Sequence, residues 1–166
     1  FALAPLEARM RELRGLPLSA RLFLYDGLAD FMAYASGRDY VLSGFSDRHL
    51  MIDLIGLDAL VCSADDMMQM PAVTPYPKMP GSPWYIPPEG YLRGARLNEQ
   101  SNVYIMGALA FTFFGNRSTM NKAGWEAGSL LYDAAKQAVS EHPGKRQETA
   151  LEFLSNWRSA VMRLPA

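Results

Sequence analysis

The longest apolar run in the chain covers residues 103–114, close to its middle. Because it lacks a polar face, it predicts a helix that is buried on every side. Its twelve residues are too few to span a bilayer, which takes about 20. Polar residues 98–101 precede the run and Gly115 follows it, as expected for the start and end of a helix. We therefore expect a central helix around which the other segments pack.

The segments on either side have shorter periodic patterns. Helical spacing of apolar residues predicts further helices, and we expect Ser19 to cap the second of them. A turn at Gly56 between short apolar stretches predicts a β-hairpin near residues 51–62. Residues 67–83 hold several prolines, which favours a loop. The expected flanking helices cover residues 1–15, about 17–36, one or two segments of 119–139, and 149–164.

Composition narrows the possible classes of function. The chain has 166 residues, 49% of them hydrophobic and 20% charged, as is typical of one soluble globular domain. A formal net charge of −1 argues against binding nucleic acid or a membrane surface through bulk electrostatics. The single cysteine, Cys62, excludes an internal disulfide and a cysteine metal cluster. We expect a cytoplasmic protein, since such cysteine usage is compatible with a reducing compartment.

Two motifs resemble the C-terminal lobe of Ser/Thr-type protein kinases. Residues 81–89, GSPWYIPPE, resemble the end of the activation segment, with Pro87-Pro88-Glu89 where the family has Ala-Pro-Glu. Residues 101–107, SNVYIMG, resemble the family's Ser-Asp-Val-Tyr-Ser-x-Gly, which opens the central helix of the lobe. The resemblance implies a mainly α-helical, kinase-like C-lobe with a short β-hairpin, as a single domain over residues 1–166. The small N-terminal lobe is absent from these residues. We expect it upstream of residue 1, and the alternative is that the protein lacks it.

The resemblance also assigns structural roles. The stretch His142-Pro-Gly-Lys-Arg146 resembles the family's Asp-Pro-x-x-Arg, whose Arg forms a buried ion pair with the Glu of Ala-Pro-Glu. It therefore implies that Arg146 is paired with Glu89. Asn102 stands where the family has an Asp that braces the catalytic loop through hydrogen bonds. A plain helical domain with a coincidental match predicts no contact between Glu89 and Arg146.

The catalytic positions of the family are altered in this chain. Leu42-Ser43-Gly44 stands where the family has His-Arg-Asp, and Ser46 stands where it has a Lys. His49 replaces the metal-binding Asn, and Ser63 replaces the Asp of Asp-Phe-Gly. Phosphoryl transfer needs an aspartate to orient the acceptor hydroxyl, and Gly44 has no side chain. Imidazole suits Mg²⁺ poorly, so we interpret His49 as a loop histidine.

Three carboxylates nearby are weak substitutes for the missing groups. Asp47 is a candidate for a displaced base, and Asp65 or Asp66 for a displaced metal ligand. We interpret the last two as a solvated pair at the start of a loop.

The resemblance thus implies a catalytically inactive kinase-like module, a pseudokinase, acting in regulation or partner binding. The alternative is an atypical ATP-dependent phosphotransferase that needs an N-terminal lobe not present here. The chain lacks the glycine-rich phosphate loop and the Val-Ala-x-Lys strand, which form the roof of the ATP site. We therefore expect no cofactor in this chain, and ATP with Mg²⁺ only if an N-lobe is present. The sequence identifies no partner and no oligomeric state, although the proline-rich loop and the face beyond Trp125 are candidate contact surfaces.

Overall fold

The computed structural model describes residues 6–75 and 77–165. The central apolar run folds as helix α3, Glu99–Phe114, and all of residues 103–114 except Tyr104 are buried. Asn98 caps the helix by accepting a hydrogen bond from the Gln100 N–H at 3.0 Å, while its own N–H donates to the Ser101 hydroxyl. This reciprocal capping box satisfies two backbone donors that a helix N-terminus leaves open. The predicted central helix is confirmed.

In the described part of the chain, four more helices pack around α3, which contacts all of them. Ser19 lies in the first turn of the second helix, so its predicted capping role is wrong. The helix starts directly after Pro17, whose fixed backbone angle suits that position. The helix expected over residues 1–15 is described only from Leu6. The four helices are α1 (Leu6–Gly15), α2 (Leu18–Ser36), α4 (Ser129–Ala138) and α5 (Ala150–Val161).

Short strands form antiparallel pairs outside the helices. The predicted hairpin is confirmed as β2 paired with β3. The loop expected over residues 67–83 also holds two-residue strands, so that prediction was too simple. The strands are β1 (Tyr40–Val41), β2 (Leu50–Asp53), β3 (Asp58–Val61), β4 (Met68–Gln69), β5 (Ala72–Val73) and β6 (Arg96–Leu97), with β1 pairing β4 and β5 pairing β6. Single-turn 3-10 helices cover Asp47–His49, Pro88–Tyr91 and Pro143–Lys145.

An aromatic cluster joins α2, α3 and α5. The Tyr25 ring lies 4.6 Å from Trp157 and 5.5 Å from Phe114, centroid to centroid. The Tyr25 hydroxyl donates to the Met106 carbonyl at 2.9 Å, and burial raises the pKa of that hydroxyl well above its usual value. This cluster joins the helices of an architecture that is mainly α-helical with short antiparallel strand pairs.

Helix α4 packs closely on α3 because Gly107 leaves room for it. A Cβ at this position would lie 2.6 Å from the Ala138 Cβ, closer than real Cβ atoms approach. In the described part of the chain, no helix has the length and hydrophobicity needed to cross a membrane.

Candidate functional site

Asn102, in the first turn of α3, holds the start of the loop that resembles the kinase catalytic loop. Its Oδ1 accepts from the Leu42 N–H at 2.8 Å, and its Nδ2 donates to the Tyr40 carbonyl at 2.8 Å. The same Nδ2 donates to the Ser36 hydroxyl at 2.9 Å. Asn102 is completely buried, so these bonds compensate the loss of water from its amide. One side chain thus fixes the end of α2, β1 and the loop relative to α3.

Glu89 and Arg146 form the ion pair that the sequence predicts. The guanidinium binds both carboxylate oxygens, Nη1 to Oε1 at 2.7 Å and Nη2 to Oε2 at 2.9 Å. The Arg146 side chain is fully buried and that of Glu89 is 9% exposed. Carbonyls of Ser140 and Gln100 accept further bonds from Arg146, and the Ser101 hydroxyl donates to Glu89. A plain helical domain with a coincidental match predicted no such contact, and that prediction is wrong.

We call Glu89, Asn102 and Arg146 the brace. Asn102 lies in the first turn of α3, and Glu89 and Arg146, which are 57 residues apart in the chain, bind the same turn. Arg146 reaches the Gln100 carbonyl there, and the Ser101 hydroxyl connects the same turn to Glu89. Buried charges are tolerated only when they are paired and hydrogen-bonded. Both charges of the brace meet that condition.

Gly44 cannot be replaced by a residue with a side chain without moving its surroundings. Its φ is 77°, in the left-handed region that glycine favours. A Cβ built on Gly44 would lie 2.1 Å from the Asp66 Cβ and 2.9 Å from one Asp66 carboxylate oxygen. Asp66 therefore occupies the space into which a side chain at position 44 would project. A side chain at position 44 and the Asp66 side chain therefore cannot both occupy this space.

The structure brings the other altered positions to the same place. Gly44, His49, Ser63, Asp65 and Asp66 line a cavity of ≈ 10 Å³, about the volume that one water molecule needs. We call these five residues the loop site. The Ser63 hydroxyl donates to the Asp65 carboxylate at 3.0 Å, and both aspartates are exposed, as expected of a solvated pair. The five residues of the loop site leave no room for a larger ligand inside this cavity.

The segment that resembles an activation segment lies against this loop. The Gly44 N–H donates to the Pro80 carbonyl at 3.0 Å, and the Ser82 N–H donates to the Phe45 carbonyl at 3.1 Å. The Tyr85 ring packs edge-on against Phe45, and its hydroxyl lies 3.1 Å from that of Thr112. Burial raises the pKa of Tyr85 to about 12, although its hydrogen bond to Thr112 opposes the rise.

Asp47 does not line the loop site. Its carboxylate forms an ion pair with Arg117 at 3.2 Å, and the two side chains are 10% and 16% exposed. The Arg117 guanidinium also lies 4.9 Å from the centre of the Trp84 ring, within the range of a cation–π contact. The structure therefore separates Asp47 from Asp65 and Asp66, which line a different cavity. Sequence reasoning missed Arg117 and Trp84, because no local pattern relates either residue to position 47.

Trp125, which the sequence placed on a candidate contact face, contributes mainly to packing. Its ring lies 5.0 Å from Phe111 and 6.0 Å from Phe114, and its indole N–H donates to the Gly128 carbonyl. A more exposed apolar pair lies on the hairpin, where Met51 and Leu60 stand opposite each other and are 63% and 61% exposed.

Among the residues that the structure describes, no group of three or more His, Cys, Asp or Glu side chains is arranged to hold a metal ion. No protein-family model matches the chain. No curated protein matches it significantly either.

Proposed function

We propose that this chain is a kinase-like module that does not transfer phosphate and acts by regulation or partner binding. The observation that carries the proposal is the geometry at Gly44. In the resemblance to kinases this position belongs to the aspartate that orients the acceptor hydroxyl. Here the position combines a left-handed backbone with a direct steric conflict with Asp66.

The brace supports the same proposal. Its members keep the ion pair and hydrogen bonds that the resemblance implies for fold maintenance. The loop site keeps none of the catalytic groups that the resemblance implies, since glycine, histidine and serine stand at those positions. Missing groups that act on one transition state are hard to replace singly. A scaffold that keeps its structural contacts and lacks its chemistry is suited to binding.

The enzyme alternative relies on Asp47 acting together with Asp65 or Asp66. The geometry disfavours it, because Asp47 is paired with Arg117 and lines another cavity. This alternative predicts that a nucleotide with Mg²⁺ raises the melting temperature, and that replacing Asp65 and Asp66 together by Ala abolishes the rise. The non-catalytic proposal predicts that the nucleotide changes the melting temperature of the natural protein and of that double variant equally.

The exposed hairpin pair is consistent with a binding role. Met51 and Leu60 form a small apolar patch on the hairpin, and Met51 is two residues after the loop-site residue His49. Exposed apolar side chains that adjoin one another are typical of interaction surfaces. The partner itself is not identified by this patch.

The test is a phosphotransfer assay on the longest natural form of the protein. We expect no labelled phosphate to be transferred from ATP to itself or to a generic substrate, with either Mg²⁺ or Mn²⁺, above the level of a matched variant. That variant carries Asp47→Asn, Asp65→Asn and Asp66→Asn, and its fold is checked by circular dichroism. Transfer that this variant abolishes would show that the proposal is wrong.

A further inference from the structure

A second cavity lies between α1, β2 and α3, and it shares no lining residue with the loop site. Its volume is ≈ 190 Å³, and its apolar wall includes Leu13, Leu50, Ile52 and Phe113. Leu13, Leu50 and Phe113 are buried core residues, so the wall is part of the packed interior. An apolar cavity of roughly 150 Å³ already accepts a molecule of the size of benzene. The space is therefore sufficient for one aromatic ring or a short branched alkyl group.

The charged groups that line this cavity are acidic, and Thr112 adds one neutral polar side chain. Asp47 and Glu12 line it, and none of the described residues lining it is Lys, Arg or His. Glu12 is exposed and so marks the side that faces solvent, whereas the Asp47 side chain is only 10% exposed. Arg117 neutralises Asp47 from outside the lining. The remaining charge at the cavity is negative, which disfavours an anionic ligand and favours a cationic one.

We propose that this cavity is a binding site for a small amine with an aryl or branched alkyl body. The apolar part fills the space beside Leu13 and Ile52, and the ammonium group lies toward Glu12, because Asp47 is already paired with Arg117. This arrangement matches the general composition of ligand pockets, in which apolar walls supply burial and a few polar groups fix orientation. The proposal does not depend on the function proposed above, since it uses none of the loop-site residues.

The experiment is a titration of the protein followed by methyl NMR, with 2-phenylethylamine as the probe. Its neutral and anionic counterparts, 2-phenylethanol and 3-phenylpropionate, are the matched controls. We expect the amine to shift the methyl signals of Leu13, Leu50 and Ile52 and to bind at least about threefold more tightly than the alcohol, the size of effect that an accessible carboxylate gives. The anion should bind most weakly.

Two variants locate the site. Glu12→Gln changes an exposed side chain and should bring the affinity for the amine close to that for the alcohol, whereas Glu148→Gln, at an exposed position elsewhere, should change neither. Ile52→Phe fills the cavity and should abolish binding without lowering the melting temperature. If the amine leaves these methyl signals unchanged, or if all three probes bind equally to the natural protein, the proposal is overturned. Unchanged amine affinity in Glu12→Gln overturns the assigned orientation and with it the amine selectivity.

Discussion

The brace and the loop site differ in how their charged groups are accommodated: the brace buries and pairs its charges, whereas the loop site exposes them to solvent. In the brace, Arg146 is fully buried and donates to both oxygens of Glu89 as well as to backbone carbonyls. In the loop site, Asp65 and Asp66 are exposed, and Gly44 contributes no side chain at all. A buried charge that loses its partner is costly, whereas an exposed carboxylate keeps its hydration.

This difference predicts how the two regions tolerate substitution. Groups that stabilise the fold are buried and interdependent, so each one is needed by its neighbours. Groups that perform chemistry face solvent or substrate, and their replacement leaves the core unchanged. At Gly44 the constraint is steric, since Asp66 occupies the space that a side chain there would need. We expect the two regions to respond very differently to mutation.

The largest effect is expected from Arg146→Ala. Removing the guanidinium leaves the Glu89 carboxylate buried and unpaired, which costs about 3–5 kcal/mol of folding stability. The variant should unfold or show a strongly lowered melting temperature in a thermal scan followed by circular dichroism.

Arg158→Ala is the matched control. Arg158 also binds two carboxylates, Asp26 and Asp30, but its side chain is 46% exposed. Its removal should cost less than about 1 kcal/mol, because solvent screens exposed pairs. Equal losses in the two variants would contradict the distinction between the brace and an ordinary surface ion pair.

The brace and the central helix could be predicted from the sequence, while the steric state of the loop site could not. An uninterrupted apolar run and its flanking polar cap identify α3 through local rules. The resemblance of two distant motifs, residues 81–89 and 142–146, to kinase motifs implied the Glu89–Arg146 pair. The contact between Gly44 and Asp66 and the pairing of Asp47 with Arg117 depend on how loops pack, which hydrophobic periodicity does not encode. Two-residue strands such as β4 and β5 are too short to give an alternation signal.

The second prediction concerns Gly44→Ala compared with Gly94→Ala. Both glycines have positive φ values, 77° and 73°, but only the new Cβ at Gly44 would meet a neighbour. The backbone strain is about 1–2 kcal/mol in each case. Overpacking against Asp66 adds about 1–3 kcal/mol at Gly44 alone. Urea unfolding should therefore show the larger loss for Gly44→Ala.

Asp66→Gly tests the cause of that difference. It removes the Cβ that would lie 2.1 Å from the new one, so combining it with Gly44→Ala should reduce the loss to that of Gly94→Ala. A combined variant as unstable as Gly44→Ala alone would show that Asp66 does not exclude a side chain from position 44. The same pair of changes is the starting point for any attempt to place Asp at position 44.

The third prediction is Asn102→Asp, which introduces the residue that the kinase family has at this position. The acceptor for the Leu42 N–H remains, but the donor to the Tyr40 carbonyl is lost. A partly buried carbonyl left without a donor costs about 1–3 kcal/mol, and a carboxylate buried without a cationic partner adds a desolvation cost. We therefore expect a loss of at least about 1–3 kcal/mol in urea unfolding at pH 7.

Asn98→Asp is its control within the same helix. Asn98 acts only as an acceptor through its side chain toward Gln100, and Asp caps a helix about as well as Asn. Stability should therefore change by less than about 0.5 kcal/mol. If Asn102→Asp were as harmless as Asn98→Asp, the donor bonds of Asn102 would not contribute to the brace.

The smallest effect is expected at alkaline pH and concerns Tyr85, which lies on the segment between the loop site and Glu89. Its pKa is raised to about 12 in the folded protein, above the usual value of about 10. Between these values the unfolded chain has released a proton that the folded protein retains, so stability falls as pH rises, by up to about 1.4 kcal/mol per pH unit. Below pH 10 both states are protonated and the contribution is fully present. Tyr85→Phe should make this slope shallower in urea unfolding from pH 9 to 11.5.

Tyr34→Phe is the control for the alkaline slope, because Tyr34 is 61% exposed and its removal should leave the slope unchanged. Tyr25 is also buried with a raised pKa, so part of the slope persists in both variants. A slope that Tyr85→Phe does not change would mean that residue 85 is reached by solvent in the folded protein. The segment leading to Glu89 would then be as accessible to solvent as the loop site, and the buried region would begin only at Glu89.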